Sequence, residues 1–190
     1  LVDKHGRRLR KLRISLTEAC NLRCVYCMPE HATFAHRDEL LAPTEIVDIV
    51  SDLAELGIEA VRITGGEPTL RAEFPEIARR ICEIPALKVG LTTNGWRLSE
   101  HATSLAKWGM HGVNVSLDSL DADNFRRMAR GGDLGQVLSG IRAARDAGLV
   151  VKINTVVMRG LNDHELEAFH DFALLEGVEV RFLELMRIGE

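Results

Sequence analysis

From one end of the chain to the other, short runs of β-branched and aliphatic residues alternate with segments whose apolar positions recur every three to four residues. The short runs predict strands near 12–16, 59–64, 87–92, 112–117, 149–157 and 178–185, with helices between them. In the first helix Ile46, Ile49, Val50 and Leu53 make one apolar face, with Thr44 as the expected N-cap and Gly57 as the stop. Ser99 and Gly109 bracket a second, with Leu105 and Trp108 on its inner side. Leu134, Val137, Leu138, Ile141 and Ala144 predict a third before Gly148, and Asn162 or Asp163 is expected to cap the last, which ends at Gly177. No linker or low-complexity stretch divides the pattern, so residues 1–190 are expected to form one α/β domain of repeated βα units around a parallel sheet. Periodicity alone leaves two architectures open: a doubly wound sheet and an incomplete barrel of the eight-stranded type.

The strands carry a second signal. Parallel strands covered by helices usually read as continuous apolar runs, yet polar residues recur here at period two. They are Arg13, Ser15 and Thr17; Arg62 and Thr64; Thr92 and Asn94; Asn114, Ser116 and Asp118; Lys152 and Asn154; and Arg181. Leu12, Ile14, Leu16, Val61, Ile63, Val113, Val115 and Leu117 fall on the opposite faces. Any one of the four cations could simply reach solvent from a strand end. If all the polar faces line one cavity, clustered Arg and Lys suit a polyanionic substrate, phosphate above all.

Cys20, Cys24 and Cys27 form a C-x3-C-x2-C triplet at the start of the long, charged and histidine-containing stretch from Met28 to Leu41. Three thiolates leave one position open on a metal or cluster that takes four ligands, and that position is where chemistry would occur. The alternative is a structural zinc completed by His31 or His36. Three clustered cysteines cannot all pair in disulfides, and the fourth, Cys82, sits in a helical pattern as a small core residue.

Net charge changes the picture only by exclusion. A formal charge of −4 argues against broad nucleic-acid binding, and no apolar run approaches a bilayer span or a secretory leader. Thiolates meant for a metal suit a reducing cytoplasm.

After the second strand comes Thr64-Gly65-Gly66-Glu67-Pro68, where two glycines let backbone approach a ligand closely and aim Glu67 at it. Joined to the cysteine triplet, with Tyr26 before its third cysteine, this segment resembles the radical S-adenosylmethionine (SAM) superfamily, over essentially the whole chain. The resemblance implies a partial (βα)6 TIM-like barrel. It implies a [4Fe-4S] cluster held by Cys20, Cys24 and Cys27, and a SAM molecule cleaved to a 5′-deoxyadenosyl radical that abstracts a substrate hydrogen. No catalytic side chain beyond the cluster and SAM is implied.

More narrowly, the strand-end segments around Arg13, Arg62, Thr92, Asn114 and Arg181 resemble the GTP 3′,8-cyclase family of molybdenum-cofactor biosynthesis. That resemblance implies cofactor contacts from Tyr26, Gly65, Gly66, Glu67, Asn94, Ser116, Asp118 and Met186. It implies nucleotide contacts from Arg13, Arg62, Thr92 and Lys152, a low-potential electron donor such as flavodoxin, and admits a homodimer. The family commonly carries a lysine where this chain has Ala60, and a second cluster in a C-terminal segment expected to lie beyond Glu190. Other readings are a radical SAM enzyme acting on another nucleoside, sugar-nucleotide or peptide, and a zinc-stabilised binding module without catalysis.

Overall fold

The computed structural model describes residues 2–29 and 31–186, the side chain of Arg37 excepted. Its centre is a six-stranded, wholly parallel sheet: β1 (Lys11–Ser15), β2 (Ala60–Thr64), β3 (Lys88–Thr93), β4 (Gly112–Ser116), β5 (Val150–Val157) and β6 (Glu179–Glu184). The strands lie in sequence order, with no point where the order reverses. Crossovers between parallel strands are nearly always right-handed, so sequential order puts every helix on one face and leaves the other free to curve around a lumen. A doubly wound sheet needs a reversal and is thereby excluded. Because β1 pairs only with β2, and β6 only with β5, the barrel stays open.

The helices are α1 (Pro43–Glu55), α2 (Phe74–Cys82), α3 (Leu98–Lys107), α4 (Ala122–Ala129), α5 (Leu134–Asp146) and α6 (Leu166–Glu176). Val61 and Ile63, Val113 and Val115, and Ile153 point from the sheet into a core shared with Ile77, Leu105, Val137 and Ile141. Burying each such side chain contributes about 1.5–3 kcal/mol, so the apolar half of the strand alternation secures the helical layer.

Local capping departs from expectation in three places. Thr44 lies inside the first turn of α1, because Pro43 takes the position where its missing N–H costs nothing and Glu45 accepts the Ala42 N–H at 2.7 Å. Ser99 likewise lies within α3, which begins at Leu98. Asn162 makes no side-chain cap; a short 3₁₀ turn at Asp163–Glu165 leads into α6, and the Asn162 amide is used elsewhere. Gly57, Gly109, Gly148 and Gly177 each follow a helix with positive φ, as anticipated.

Ile49, expected on the buried face of α1, is 44% exposed, since Ile46 and Val50 already fill that contact. The sequence pattern gave no separate sign of α4, whose eight residues include only two large apolar ones, Phe125 and Met128, both buried. Cys82 closes α2 and packs against the core, where burial, and then Glu83, push its thiol up to about 11. That is an inert packing residue. Among the described residues no helix is long and apolar enough to cross a membrane.

Candidate active site

The cysteine loop leaves the end of β1 and is held from two sides. On one side it is zipped to the turn after β2: Gly66 N–H donates to Thr17 O at 2.7 Å and Glu67 N–H to Ala19 O at 2.8 Å. A Cβ on Gly65 would lie 2.6 Å from Thr17 O, and one on Gly66 would lie 2.5 Å from Ala19 O. The two glycines are therefore required where backbone meets backbone. On the other side, Arg23 N–H and Val25 N–H donate to Ala129 O and Met128 O at 3.0 and 2.9 Å. These satisfy carbonyls that the end of α4 would otherwise leave without partners.

Within the loop, the Arg23 guanidinium donates to Cys20 O at 2.6 Å and Leu22 O at 2.9 Å and lies over the Phe34 ring. All three loop cysteines are free thiols; Cys20 and Cys24 are half-buried and Cys27 is exposed. Burial, then the Asp118 carboxylate and the two neighbouring thiols, push Cys24 up to about 12. Burial also raises Cys20, opposed by the Leu22 N–H that donates to its sulfur at 3.4 Å. Burial thus disfavours the thiolates of Cys20 and Cys24, and a cation bound among the cysteines would favour them. A cluster offering three irons to cysteine and one open iron fits this donor set. Of the two histidines that could complete a zinc site instead, His36 faces Asp38 at 3.6 Å.

Glu67 is fully buried, and its carboxylate is committed to protein. Oε1 accepts from Thr69 N–H, Thr69 Oγ1 and Thr93 Oγ1, the first and last at 3.1 and 2.8 Å, and Oε2 accepts from Asn94 N–H at 2.6 Å. The expectation that Glu67 is aimed at a ligand is thus not met here, because four donors already surround it. Its carboxylate ties the end of β2 to the end of β3. Asn94 extends that tie to the cysteines, its amide donating to Asn21 Oδ1 at 2.8 Å and approaching Cys20 Sγ at 3.9 Å.

Tyr26 donates its hydroxyl to Asp118 Oδ2 at 2.7 Å, and Asp118 Oδ1 accepts Val156 N–H at 2.8 Å. Burial raises the Asp118 carboxyl despite those bonds, and burial followed by Asp118 raises the Tyr26 phenol. A small cavity of about 30 Å³ brings Cys24, Asn94, Ser116 and Asp118 together, floored by Phe125 and Met128. Met186, expected beside them, lies two residues past β6, is 72% exposed and lines neither this cavity nor the cleft described next.

That second, larger cleft, about 380 Å³, opens on the polar face of the sheet and is lined by Arg13, Arg62, Lys152 and Arg181 together with Lys11 and Lys88. Pairing of Arg13 with Arg62, and of Asn114 with Lys152, sets these side chains side by side. Thr92 shares the face but does not line the cleft; Gly90, two residues earlier, does. A Cβ at Gly90 would lie 2.7 Å from Arg62 Nη1, so glycine there makes room for the guanidinium, which donates to Leu91 O at 3.0 Å. Burial, and next the like charges of Arg13 and Arg181, pull the Arg62 pKa down. Sequence reading missed Glu179, whose carboxylate holds Lys152 at 2.7 Å and Arg181 at 2.5 Å and is kept below the usual range by them.

Residues 14–173 match the model of the Radical SAM superfamily. The chain is 47% identical to the GTP 3′,8-cyclase of Synechocystis sp. over 189 residues, and 45% identical to that of Marinobacter nauticus over 191. Each match takes in all of this chain and 58% of the relative, so the chain spans somewhat more than half the length of these proteins. Among solved structures, Streptococcus suis SuiB bound to S-adenosylmethionine superposes with a TM-score of 0.82 at 18% identity, over 95% of this chain and 41% of that one. Methylornithine synthase superposes at 0.72 with 17% identity, over 95% of this chain and 55% of its own. At such identities the likeness is one of fold.

Proposed function

This chain belongs to the Radical SAM superfamily, and from that membership we propose that it is the catalytic barrel of a GTP 3′,8-cyclase. The observation that carries the substrate half of this reading is the cationic cleft on the lumen face. Arg13 and Arg62 have no carboxylate partner among the described residues, and burial, then repulsion from Arg13 and Arg181, disfavours the Arg62 charge. A polyanion would relieve that repulsion, and guanidinium forks match phosphate oxygens in pairs. Glu179 loosens the assignment for Lys152, which would exchange a carboxylate for a phosphate.

Cys20, Cys24 and Cys27 would hold a [4Fe-4S] cluster, and SAM would take its open iron. When bound, this pair supplies one-electron cleavage of the sulfonium and a carbon radical able to abstract hydrogen. The chain's own contribution is placement. The Gly65-Gly66-Glu67 turn and the end of α4 hold the cysteine loop, Asn94 and Ser116 line its inner wall, and the basic cleft holds the nucleotide on the same lumen face. A low-potential donor such as flavodoxin, and the reducing cytoplasm, complete the proposal.

The test is anaerobic reconstitution of the chain with iron and sulfide. Three to four irons per chain are expected, abolished by Cys20→Ala, Cys24→Ala or Cys27→Ala and unaffected by Cys82→Ser. Adding SAM should alter the electron paramagnetic resonance spectrum of the reduced cluster, and GTP should bind more tightly than guanosine. Stoichiometric zinc without iron, or equal binding of GTP and guanosine, would refute the corresponding half.

A further inference from the structure

Resting on that reading of the cysteine loop, we propose that Asp118 and Asn162 are positioning residues, a latch at the ends of β4 and β5 that sets the pose of the Tyr26 side chain. Tyr26 is the one tyrosine in the sequence, and its hydroxyl reaches Asp118 across 92 residues of chain. Asp118 is 8% exposed, and each of its carboxylate oxygens already holds a protein donor, Tyr26 on one and Val156 on the other. It is thereby better placed to orient the loop than to bind a ligand directly.

Asp118 lies two residues past the end of β4, where the ladder no longer fixes the backbone. Asn162 replaces the ladder. It is 2% exposed; its amide donates to Asp118 O at 2.7 Å and Val156 O at 2.9 Å, and its carbonyl accepts Met158 N–H at 2.7 Å. Both N–H groups are used, one on each strand end, so the side chain acts as an added rung. Thr155 Oγ1 stitches the previous step by donating to Leu117 O at 2.7 Å. Behind it, the buried carboxylate of Glu165 accepts Leu120 N–H at 2.7 Å and Ser119 Oγ at 2.8 Å, holding the loop that follows Asp118. A buried polar network whose members are all satisfied is rigid. The rigidity ends at the phenol of Tyr26, adjacent in sequence to Cys27, so the barrel wall rather than the loop decides where that ring stands.

A single tyrosine makes the latch directly observable. With ring-¹³C tyrosine incorporated, the metal-free chain should give one Cζ resonance, and Asp118→Asn or Asn162→Ala should shift it. After reconstitution, both variants and Tyr26→Phe should retain the parent's iron content and lose about tenfold in SAM affinity by equilibrium dialysis. Tyr26→Phe combined with Asn162→Ala should lose no more than either alone, because both act through one bond. An unmoved resonance in Asn162→Ala, or additive losses in the pair, would overturn the latch. If Asn162→Ala fails to fold by circular dichroism, the near-isosteric Tyr26→Phe and Asp118→Asn pair supports the same comparison. A parent chain that takes up neither iron nor SAM would sink the cofactor reading, while the tyrosine resonance would still decide the latch.

Discussion

Glu67 illustrates how a side chain can matter to a site without facing it. Each of its oxygens accepts a backbone N–H, from Thr69 on one and Asn94 on the other, so an amide in its place must turn its NH₂ against a donor. Glu67→Gln is expected to lower folding stability by roughly 1.5–3 kcal/mol, read from denaturant unfolding, and to loosen the Asn94 contact with the cysteine loop. No loss of stability would mean that the carboxylate does not hold these strands. His101 gives the chain a pH response of a separate kind. It packs edge-on to Phe74, its Nε2 is buried with no hydrogen-bond partner among the described residues, and burial, then Arg97, lower its pKa below 6.5. Between that lowered value and 6.5 the unfolded chain binds more protons than the folded one. Its contribution to stability is therefore complete above pH 6.5 and is lost as pH falls through the window. Urea midpoints at pH 7.5 and 5.5 should diverge in the parent and converge in His101→Leu.

At the scale of elements, the cysteine loop has little regular structure of its own and borrows order from its neighbours. The β2 turn grips it at Thr17 and Ala19, and the α4 terminus at Arg23 and Val25. Gly66→Ala should break the first grip, since its Cβ would press on Ala19 O and on Glu18 O, both backbone atoms that cannot rotate away. The expected result is a chain with parent-like circular dichroism that loads less than half the parent's iron. Full iron loading would show that the two segments can separate without harm to the cysteines. Much of this level was hidden from the sequence. α4 is short, and the partners of the loop lie 48 to 106 residues away along the chain, beyond the reach of any local pattern.

Across the whole molecule, the sheet sorts its two faces into separate tasks, apolar contact with the helices and a charged lumen. The formal charge of −4 says nothing of the lumen, where among the described residues Glu179 is the one carboxylate paired with the cations of the cleft, Lys152 and Arg181. If Arg62 holds phosphate, Arg62→Ala should weaken GTP binding by at least tenfold and leave SAM binding within twofold, and raising ionic strength should narrow the preference for GTP over guanosine. Isothermal titration at two salt concentrations would reveal either result. An Arg62→Ala chain that binds GTP as the parent does would move the triphosphate out of this cleft.

Read by itself, the sequence determined what depends on neighbours a few residues apart. Two-residue alternation marked all six strands and their polar faces, helix-period apolar residues marked α1, α3 and α5, the stop at Gly177 marked the end of α6, and the cysteine spacing marked the loop proposed to hold a cluster. Only the tertiary structure decided between sheet and barrel, since strand order is a property of pairing and not of any one strand. It alone turned Glu67 inward, joined Tyr26 to Asp118, and set Glu179 against Lys152, because each of these bonds joins residues that the chain separates by 26 or more positions. A side chain's chemistry is written at its own position, but whether its oxygens remain free for a ligand depends on which donors the fold brings within about 3 Å.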